Sequence, residues 1–578
     1  MVSRKHGMTK LSRSAWVGLI SLLVAHGVLS LHAARRLSPT WDEIVYPAAG
    51  VAQWHTGAID LNREHAFLAK LIFALPLLPL QPTVPFSSEA WQAKDAHRFG
   101  YLFMFHNRLE AQKLIFWSRF PAVLFSLLTG ALLFYWIYSI WGTAGGVLGL
   151  VCYISTPILL SRASLAHMEM PMYFFILLSL WLHARGTQER GASFLYGSGI
   201  AMGLAFLCKL PALPLLPTFL VLELWEHRPD WRKGGGNFLK LCLAAAGVIV
   251  MAYLPWQGAA AAFKETFVNL FLFNRILPYY WHGQTLTLAQ APWVLSWAAW
   301  LIKAPLAVLL LGMGGAWLWK CQPKGKTAWN HLVVFAGACI LAVLFFGSAV
   351  TSVQFSPAYL AIAGLAGGLA VGLKKQPAWR RFGVLGIAAL ALADAYRIHP
   401  NYLAYFNSLV GGPDQGYRWL SDSDQDWGQS LPALAAYWNK VDRPRLLLAY
   451  SGAGDPRAYG LVYQDLYSPA LVSREYQGEF LPGDGKPLYL AVATKVLQSE
   501  PEIFQWLGEH LEPLTIVSSS FFIYDVTTHP DALRWIGHVY AATRRPKLAA
   551  WSFKQAIRLD PGHADDQKKL SLLQSLTS

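Results

Sequence analysis

The feature that most constrains this 578-residue chain is a series of apolar runs of roughly 16 to 25 residues, the length a helix needs to cross the hydrocarbon core of a bilayer. About eleven such runs lie near 14–33, 115–138, 143–161, 169–184, 194–209, 211–226, 238–256, 292–318, 331–349, 357–373 and 382–396. Hydrophobic residues make up 54% of the chain and charged residues 14%, which excludes a single soluble domain, a disordered chain and a long coiled coil. The expected fold class is a polytopic α-helical membrane protein with about eleven transmembrane helices.

The charge distribution orients these runs. The formal net charge is +15, and a nucleic-acid partner does not follow from it, because in a membrane chain basic residues mark cytoplasmic loops. Arg4 to Arg13 precede the first run, which is too long for a signal-peptide core and is read as a retained span with a cytoplasmic amino terminus. Arg185 and Arg190 follow the fourth run, Arg228, Arg232 and Lys233 the sixth, Lys320, Lys324 and Lys326 the eighth, and Lys374, Lys375, Arg380 and Arg381 the tenth. That alternation places the loop near 34–114, the loop near 257–291 and everything after about 397 outside the cytoplasm, so function is sought there. Within the first of these loops, Ala66 to Leu80 is apolar but short and carries Pro76 and Pro79, so it is expected along the interface.

The expected organisation is a membrane domain over 1–396, an extracytoplasmic α/β domain over 397–530 and a helical hairpin over 531–578. Leu446 to Tyr450, Leu488 to Ala493 and Phe521 to Val526 read as buried strands. Leu533, Ile536, Gly537, Tyr540, Ala549, Phe553, Ala556 and Pro561 fall at the positions of a tetratricopeptide repeat's buried ladder, although there is one copy only. Two readings are open: a TPR-like hairpin packed on its own domain, or a docking site for a protein partner.

The first loop opens on Asp42-Glu43, adjacent carboxylates just beyond the first span, where charge is costly unless paired, hydrated or metal-bound. Asp42 is either a helix cap or a reacting group. Further on, Asn62-Arg63-Glu64-His65 and Lys70 put an acid, an imidazole and two cations beside the lipid surface, which suits an anionic amphiphile; interfacial snorkelling accounts for Arg63 and Lys70 but not for Glu64. The five cysteines, Cys152, Cys208, Cys242, Cys321 and Cys339, form neither a disulfide framework nor a CxxC site. Gly234 to Gly236 reads as a flexible connection, and no nucleotide cofactor is implied. Asp422-Ser423-Asp424-Gln425-Asp426 begins like a calcium loop, but Gly428 falls one position late and Ala433 stands where a bidentate Glu is required, so a turn and helix cap is expected.

Taken together, Asp42-Glu43, Glu64-His65 with Leu68 and Lys70, Arg119-Phe120-Pro121, Gly203 to Lys209, Pro292-Trp293 and Lys303-Ala304-Pro305 resemble the bacterial relatives of protein O-mannosyltransferases and lipid A aminoarabinose transferases. These are GT-C glycosyltransferases of the bacterial plasma membrane that take a sugar from a polyprenyl-phosphate donor. Asn401 to Asn407 through Gly411-Gly412-Pro413 to Asp422 to Gln429 is similar to a segment after the last span in one bacterial branch of that family. The resemblance implies GT-C architecture, a polyprenyl-phosphate-linked sugar and membrane lipids as partners, and an extracytoplasmic acceptor that is protein, lipid or glycan. The chain departs from the family at Ala66-Phe67, where Pro-Pro is usual, at Glu169 beside His167, where an Asp is usual, and at Gln354, where an Arg is usual.

A sugar on polyprenyl phosphate already carries a good leaving group, so transfer needs one base and no general acid, and attack opposite the phosphate inverts the anomeric centre. Asp42 is the expected base, with Glu43 shaping the catalytic site. Lys209, Lys303, Lys70 and Arg275 are the expected cations for the departing phosphate. Glu64, His65, Glu169 and His167 are expected substrate-binding residues. The resemblance further suggests that Glu64 holds a divalent metal ion with Asn274 or His282. A membrane transporter or lipid translocator fits less well, because the carboxylates lie in loops and not at mid-membrane; a GT-C scaffold without activity is the remaining alternative.

Overall fold

In a computed structural model, residues 10–189, 191–272, 279–286, 294–318, 326–346, 356–372, 376–468 and 485–575 are described. Asn274, Arg275 and Gln354 lie outside them. The chain divides into two compact units, one of Met1–Arg36 with Asp42–Pro413 and one of Leu37–Trp41 with Asp414–Ser578. The first unit thus runs past 396 to Pro413, and a short piece of the first loop belongs to the second.

Each expected span overlaps a helix among the described residues. Among the described residues, Arg13–Arg36, Ala111–Ile154 and Trp231–Tyr253 are each long and apolar enough to cross a membrane, and Val294–Lys303 with Leu306–Trp317 makes a fourth if the bent pair is one span. The second and third runs are one element, Ala111–Ile154, broken at Gly142, where φ is 72°. Ser155 ends it, and a short helix, Pro157–Ala163, follows. The interfacial stretch is a short helix, Leu68–Ala74, continued by a 3-10 turn, Leu75–Leu80.

Small residues set the helix spacing. A Cβ on Gly199 or Gly203, one turn apart on Ala192–Cys208, would come within 2.6 and 2.7 Å of the Leu241 and Ala245 carbonyl oxygens of Trp231–Tyr253. This is the close backbone approach that stabilises helix pairs in lipid, where burial of apolar surface supplies little. On another face of Ala192–Cys208, Ser198 and Ser179 exchange bonds, each hydroxyl donating to the other's carbonyl at 2.8 and 2.9 Å. The Gly234 to Gly236 run is not a flexible connection: it lies inside Trp231–Tyr253, and Gly234 packs on the Glu223 carbonyl.

The expected single span over 292–318 is instead bent by 106° between Lys303 and Leu306. Pro305 lacks the N–H that would continue the ladder, and in lipid the freed carbonyls need other donors. Asn407 supplies them: its Nδ2 donates to the Leu301 and Ala304 carbonyls at 2.7 and 2.9 Å, and its N–H to that of Ile302 at 2.9 Å.

The second unit is built on a five-stranded sheet. Strands β1 (Tyr279–Trp281) and β2 (Gln284–Leu286) form a separate hairpin in the first unit. The sheet comprises β3 (Arg445–Ala449), β4 (Gln464–Tyr467), β5 (Leu488–Ala493), β6 (Thr515–Val517) and β7 (Phe521–Asp525), in the order β4-β3-β5-β7-β6. β3 is parallel to β4 and β5, while β7 is antiparallel to β5 and β6. Buried on both faces, β3 and β5 read as continuous apolar runs, which made them visible in the sequence. β4 escaped because it is polar: buried Asp465 pairs with Arg545 at 2.7 Å. The tail forms a hairpin, Pro530–Ala542 and Pro546–Leu559, in which Gly537 lies under the Phe553 ring, and a third helix, Ala564–Ser575, follows.

Asp426 makes the stability of this unit pH-dependent. Burial pushes its carboxyl up to about 6, against the Gly428 N–H and Thr494 hydroxyl that favour the anion. The folded state therefore binds more protons than the unfolded one between about pH 4 and 6, so stability falls as pH rises through that window. The loss is on the order of 3 kcal/mol. Asp426→Asn is expected to flatten this slope in pH-dependent unfolding of the full chain in detergent; an unchanged slope would assign it to another group.

Candidate active site

The acid pair after the first span splits into two different environments. Glu43 is fully buried, and Arg119, from the Ala111–Ile154 helix and equally buried, grips both its oxygens: Nε donates to Oε1 at 2.8 Å and a terminal nitrogen to Oε2 at 2.7 Å. The Ala166 N–H adds a bond of 2.6 Å to Oε1, and Arg119 also donates to the Ala34 carbonyl at 2.9 Å. Glu43 is thus a clamp joining the first loop to two other segments.

Asp42 remains half-buried on the 3-10 turn Trp41–Ile44 and accepts the Tyr46 hydroxyl at 2.8 Å. The helix that follows, Val45–Thr56, begins from Ile44, whose own side chain makes no cap. Tyr46 is the hub of the site. Its ring meets His65 and His167 edge-on, each 5.9 Å away. Burial, then Asp42, Glu169 and Glu64, hold its phenol well above the usual tyrosine range, so three carboxylates surround one protonated hydroxyl. Desolvation, aided by Lys209 and Lys70, lowers His65 to about 3, and burial lowers His167 to about 3 against the pull of Glu169. Both rings are neutral, leaving the positive charge to lysine and arginine.

Glu169 opens the Glu169–Glu189 helix, 3.9 Å from His167 Nδ1, and accepts Lys209 Nζ at 2.7 Å. Lys209 follows the last turn of Ala192–Cys208, and its side chain stays 25% exposed. The two other described lysines expected at the phosphate donate to backbone carbonyls. Lys70 is buried and donates to the Asn62 and His65 carbonyls at 2.5 and 3.0 Å, so it braces the turn that carries Glu64. Lys303 is buried, donates to the Leu403 carbonyl at 2.7 Å and sits 4.3 Å from the Phe406 ring centre, locking the bent span to the Asn401–Asn407 segment. Burying an ammonium demands such partners, and here the backbone provides them.

Of the expected metal ligands, Asn274 lies outside the described residues. Glu64 takes a 2.5 Å bond from Asn62, His282 is exposed at the tip of the β1–β2 turn, and among the described residues no three His, Cys, Asp or Glu side chains are placed to hold an ion. Residues the sequence reading left without a role now have one. Tyr46 is part of the Asp42 motif but is of a type common in apolar loops. Arg119, in the middle of an apolar run, carried a usable signal, because an ionisable side chain in a span needs a partner. Arg162, buried and near enough to act on Glu169 and His167, carried the same signal.

Residues 99–256, the stretch that contains Arg119, His167, Glu169 and Lys209, match the family model described as dolichyl-phosphate-mannose-protein mannosyltransferase. Among solved structures, the chain is similar to ArnT from Cupriavidus metallidurans bound to undecaprenyl phosphate, at 12% identity and a TM-score of 0.49, covering 89% of this chain and 98% of that one. It is also similar to the Archaeoglobus fulgidus oligosaccharyltransferase, at 11% identity and a TM-score of 0.44, covering 84% and 71%. The Saccharomyces cerevisiae Pmt1-Pmt2 complex bound to its sugar donor matches at 16% identity and a TM-score of 0.30, over 46% and 34%. No curated protein sequence matches this chain.

Proposed function

We propose that this protein is an inverting glycosyltransferase of the bacterial plasma membrane that moves a sugar from a polyprenyl-phosphate donor to an extracytoplasmic acceptor. The observation that carries the reading is the grouping of Asp42, Tyr46, His167, Glu169 and Lys209: a half-buried carboxylate and a partly exposed cation share one site around a buried phenol. Asp42 takes the proton of the acceptor hydroxyl as that oxygen bonds to the anomeric carbon, and the bond from that carbon to the phosphate oxygen breaks with its electron pair leaving on the phosphate. Lys209 meets the growing phosphate charge, and Glu169 holds the ammonium in place before the donor arrives. Tyr46 fixes the rotamer of Asp42.

The test is binding and turnover with a polyprenyl-phosphate sugar. Lys209→Met keeps the apolar stem and removes the charge, and a charge-assisted bond to phosphate is worth about 1.5–3 kcal/mol. Binding of undecaprenyl phosphate to the purified protein is expected to weaken about 10- to 100-fold. Unchanged binding would remove Lys209 from the donor site. Failure of the wild-type chain to transfer sugar from any polyprenyl-phosphate donor in a lipid extract would refute the reading.

A further inference from the structure

The Asp422–Gln429 motif is the longest chemistry-bearing segment that the transfer mechanism leaves unused, and its carboxylates are not arranged for a cation. Asp422 pairs with Lys495 at 2.8 Å, while Asp426 accepts the Gly428 N–H and the Thr494 hydroxyl, each at 3.1 Å. Those bonds seat the loop at a particular place. β3 has β4 on one side and β5 on the other, so the carboxyl ends of β3 and β5 flank the point where the strand order reverses, the position at which open α/β sheets receive ligands. Tyr450, just past β3, donates its hydroxyl to the Gly428 carbonyl at 3.0 Å, and Thr494 lies just past β5. Gly428 has φ of 92°, and a Cβ there would stand 2.8 Å from both Gly452 Cα and the Tyr450 oxygen. Only glycine fits this contact.

What this loop carries is another piece of the chain. The Ser38 N–H donates to the Gln429 carbonyl at 3.0 Å, the Trp41 N–H to the Trp427 carbonyl at 3.2 Å, and the Ser38 hydroxyl to the Gly428 carbonyl at 2.8 Å while accepting the Leu431 N–H at 3.2 Å. Gln429 stiffens the loop from within: its Oε1 accepts the Trp427 N–H at 2.7 Å, and its Nε2 donates to the Gln425 carbonyl at 3.0 Å. Ser38, Thr40 and Gln429 are fully buried, so water does not compete for these bonds. Every one of them lies within the second unit, and the residue after Trp41 in the chain is Asp42.

We infer that Trp427-Gly428-Gln429 is a mount for Leu37–Trp41, which makes Gln429, Gly428 and Ser38 positioning residues for the Asp42 carboxylate. The inference rests on the reading of Asp42 as the base. None of the three touches a reacting atom in it. Their contribution is to fix the backbone one residue before Asp42, and displacing a reacting group by about 1 Å costs up to about 10²-fold in rate.

The test uses the full-length protein in lipid nanodiscs, with Gln429→Ala and Ser38→Ala. In both variants, amide hydrogen exchange in a peptide spanning residues 37–42 is expected to speed up while β3 and β5 stay protected, which separates loss of the mount from loss of the fold. Sugar transfer from a polyprenyl-phosphate donor is expected to fall about 10- to 100-fold in kcat with the donor KM unchanged. Unchanged exchange at 37–42 in both variants would overturn the mount, and faster exchange with normal kcat would overturn its link to Asp42. A wild-type chain that transfers nothing would refute the transferase reading and the positioning role together, and the exchange data would still show whether the mount exists.

Discussion

Asp42→Asn is expected to lower sugar transfer about 10²-fold or more while leaving expression, folding and donor binding near normal. The substitution keeps shape and still accepts the Tyr46 hydroxyl, which is 2.8 Å from the carboxylate, so the local packing survives. What it removes is the proton acceptor. No second carboxylate is equally suited. Glu43 has both oxygens taken by Arg119, and Glu169 is ion-paired with Lys209. Tyr46→Phe separates orientation from basicity: it leaves the base in place without its anchor, and a smaller loss in kcat is expected than for Asp42→Asn. The measurement is single-turnover transfer from a labelled polyprenyl-phosphate sugar. Near-normal turnover by Asp42→Asn would move the base to Glu64, whose turn Lys70 braces.

The largest expected effect on stability comes from Arg119→Met. Arg119 and Glu43 are both inaccessible to solvent, 76 residues apart in sequence, and joined by two short charged bonds. Removing one partner strands the other as a buried charge, at a cost of about 3–5 kcal/mol. Glu43→Gln should cost less, because the amide keeps an oxygen for the Ala166 N–H or for Arg119. The double variant Glu43→Gln with Arg119→Met should recover part of the loss, since no lone charge is then left inside, and the cycle of four proteins isolates the coupling. Denaturant unfolding in mixed micelles provides the measurement. Arg119→Met as stable as the wild type would show that the carboxylate is hydrated in the folded protein, and that Glu43 can act chemically after all.

The two variants treat adjacent residues with the same charge and opposite duties, and only the partners distinguish them. Sequence reasoning singled out both carboxylates just after the first apolar run, because the cost of charge near lipid makes any such pair conspicuous. It could not tell which of them was spoken for. The same blindness explains the lysines: Lys70, Lys209 and Lys303 looked alike as cations near the outer face, yet two are held by backbone carbonyls and one pairs with the Glu169 carboxylate while staying partly exposed. A cation's availability depends on which carbonyl the fold brings within about 3 Å, and nothing in the residue's own neighbourhood encodes that. The bend at Pro305 was written in the sequence as a proline inside an apolar run, but the run's length suggested one straight span; the donors from Asn407 that make the bend tolerable come from a segment about a hundred residues away.

The sequence by itself determined that the chain has membrane-spanning character, where its apolar runs lie, that β3, β5 and β7 are buried strands, and which short motifs carry ionisable groups. Those properties follow from run length, periodicity and the free-energy cost of charge in lipid, all of which act within a few turns of chain. Tertiary structure alone decided that Arg119 closes on Glu43, that Glu169 and Lys209 form a pair beside Tyr46, that the polar strand β4 joins the sheet, and that Leu37–Trp41 belongs with Trp427–Gln429. Each is a pairing of single residues across tens to hundreds of positions, selected by geometry and desolvation at the point of contact, and such pairings leave no periodic trace in a single sequence.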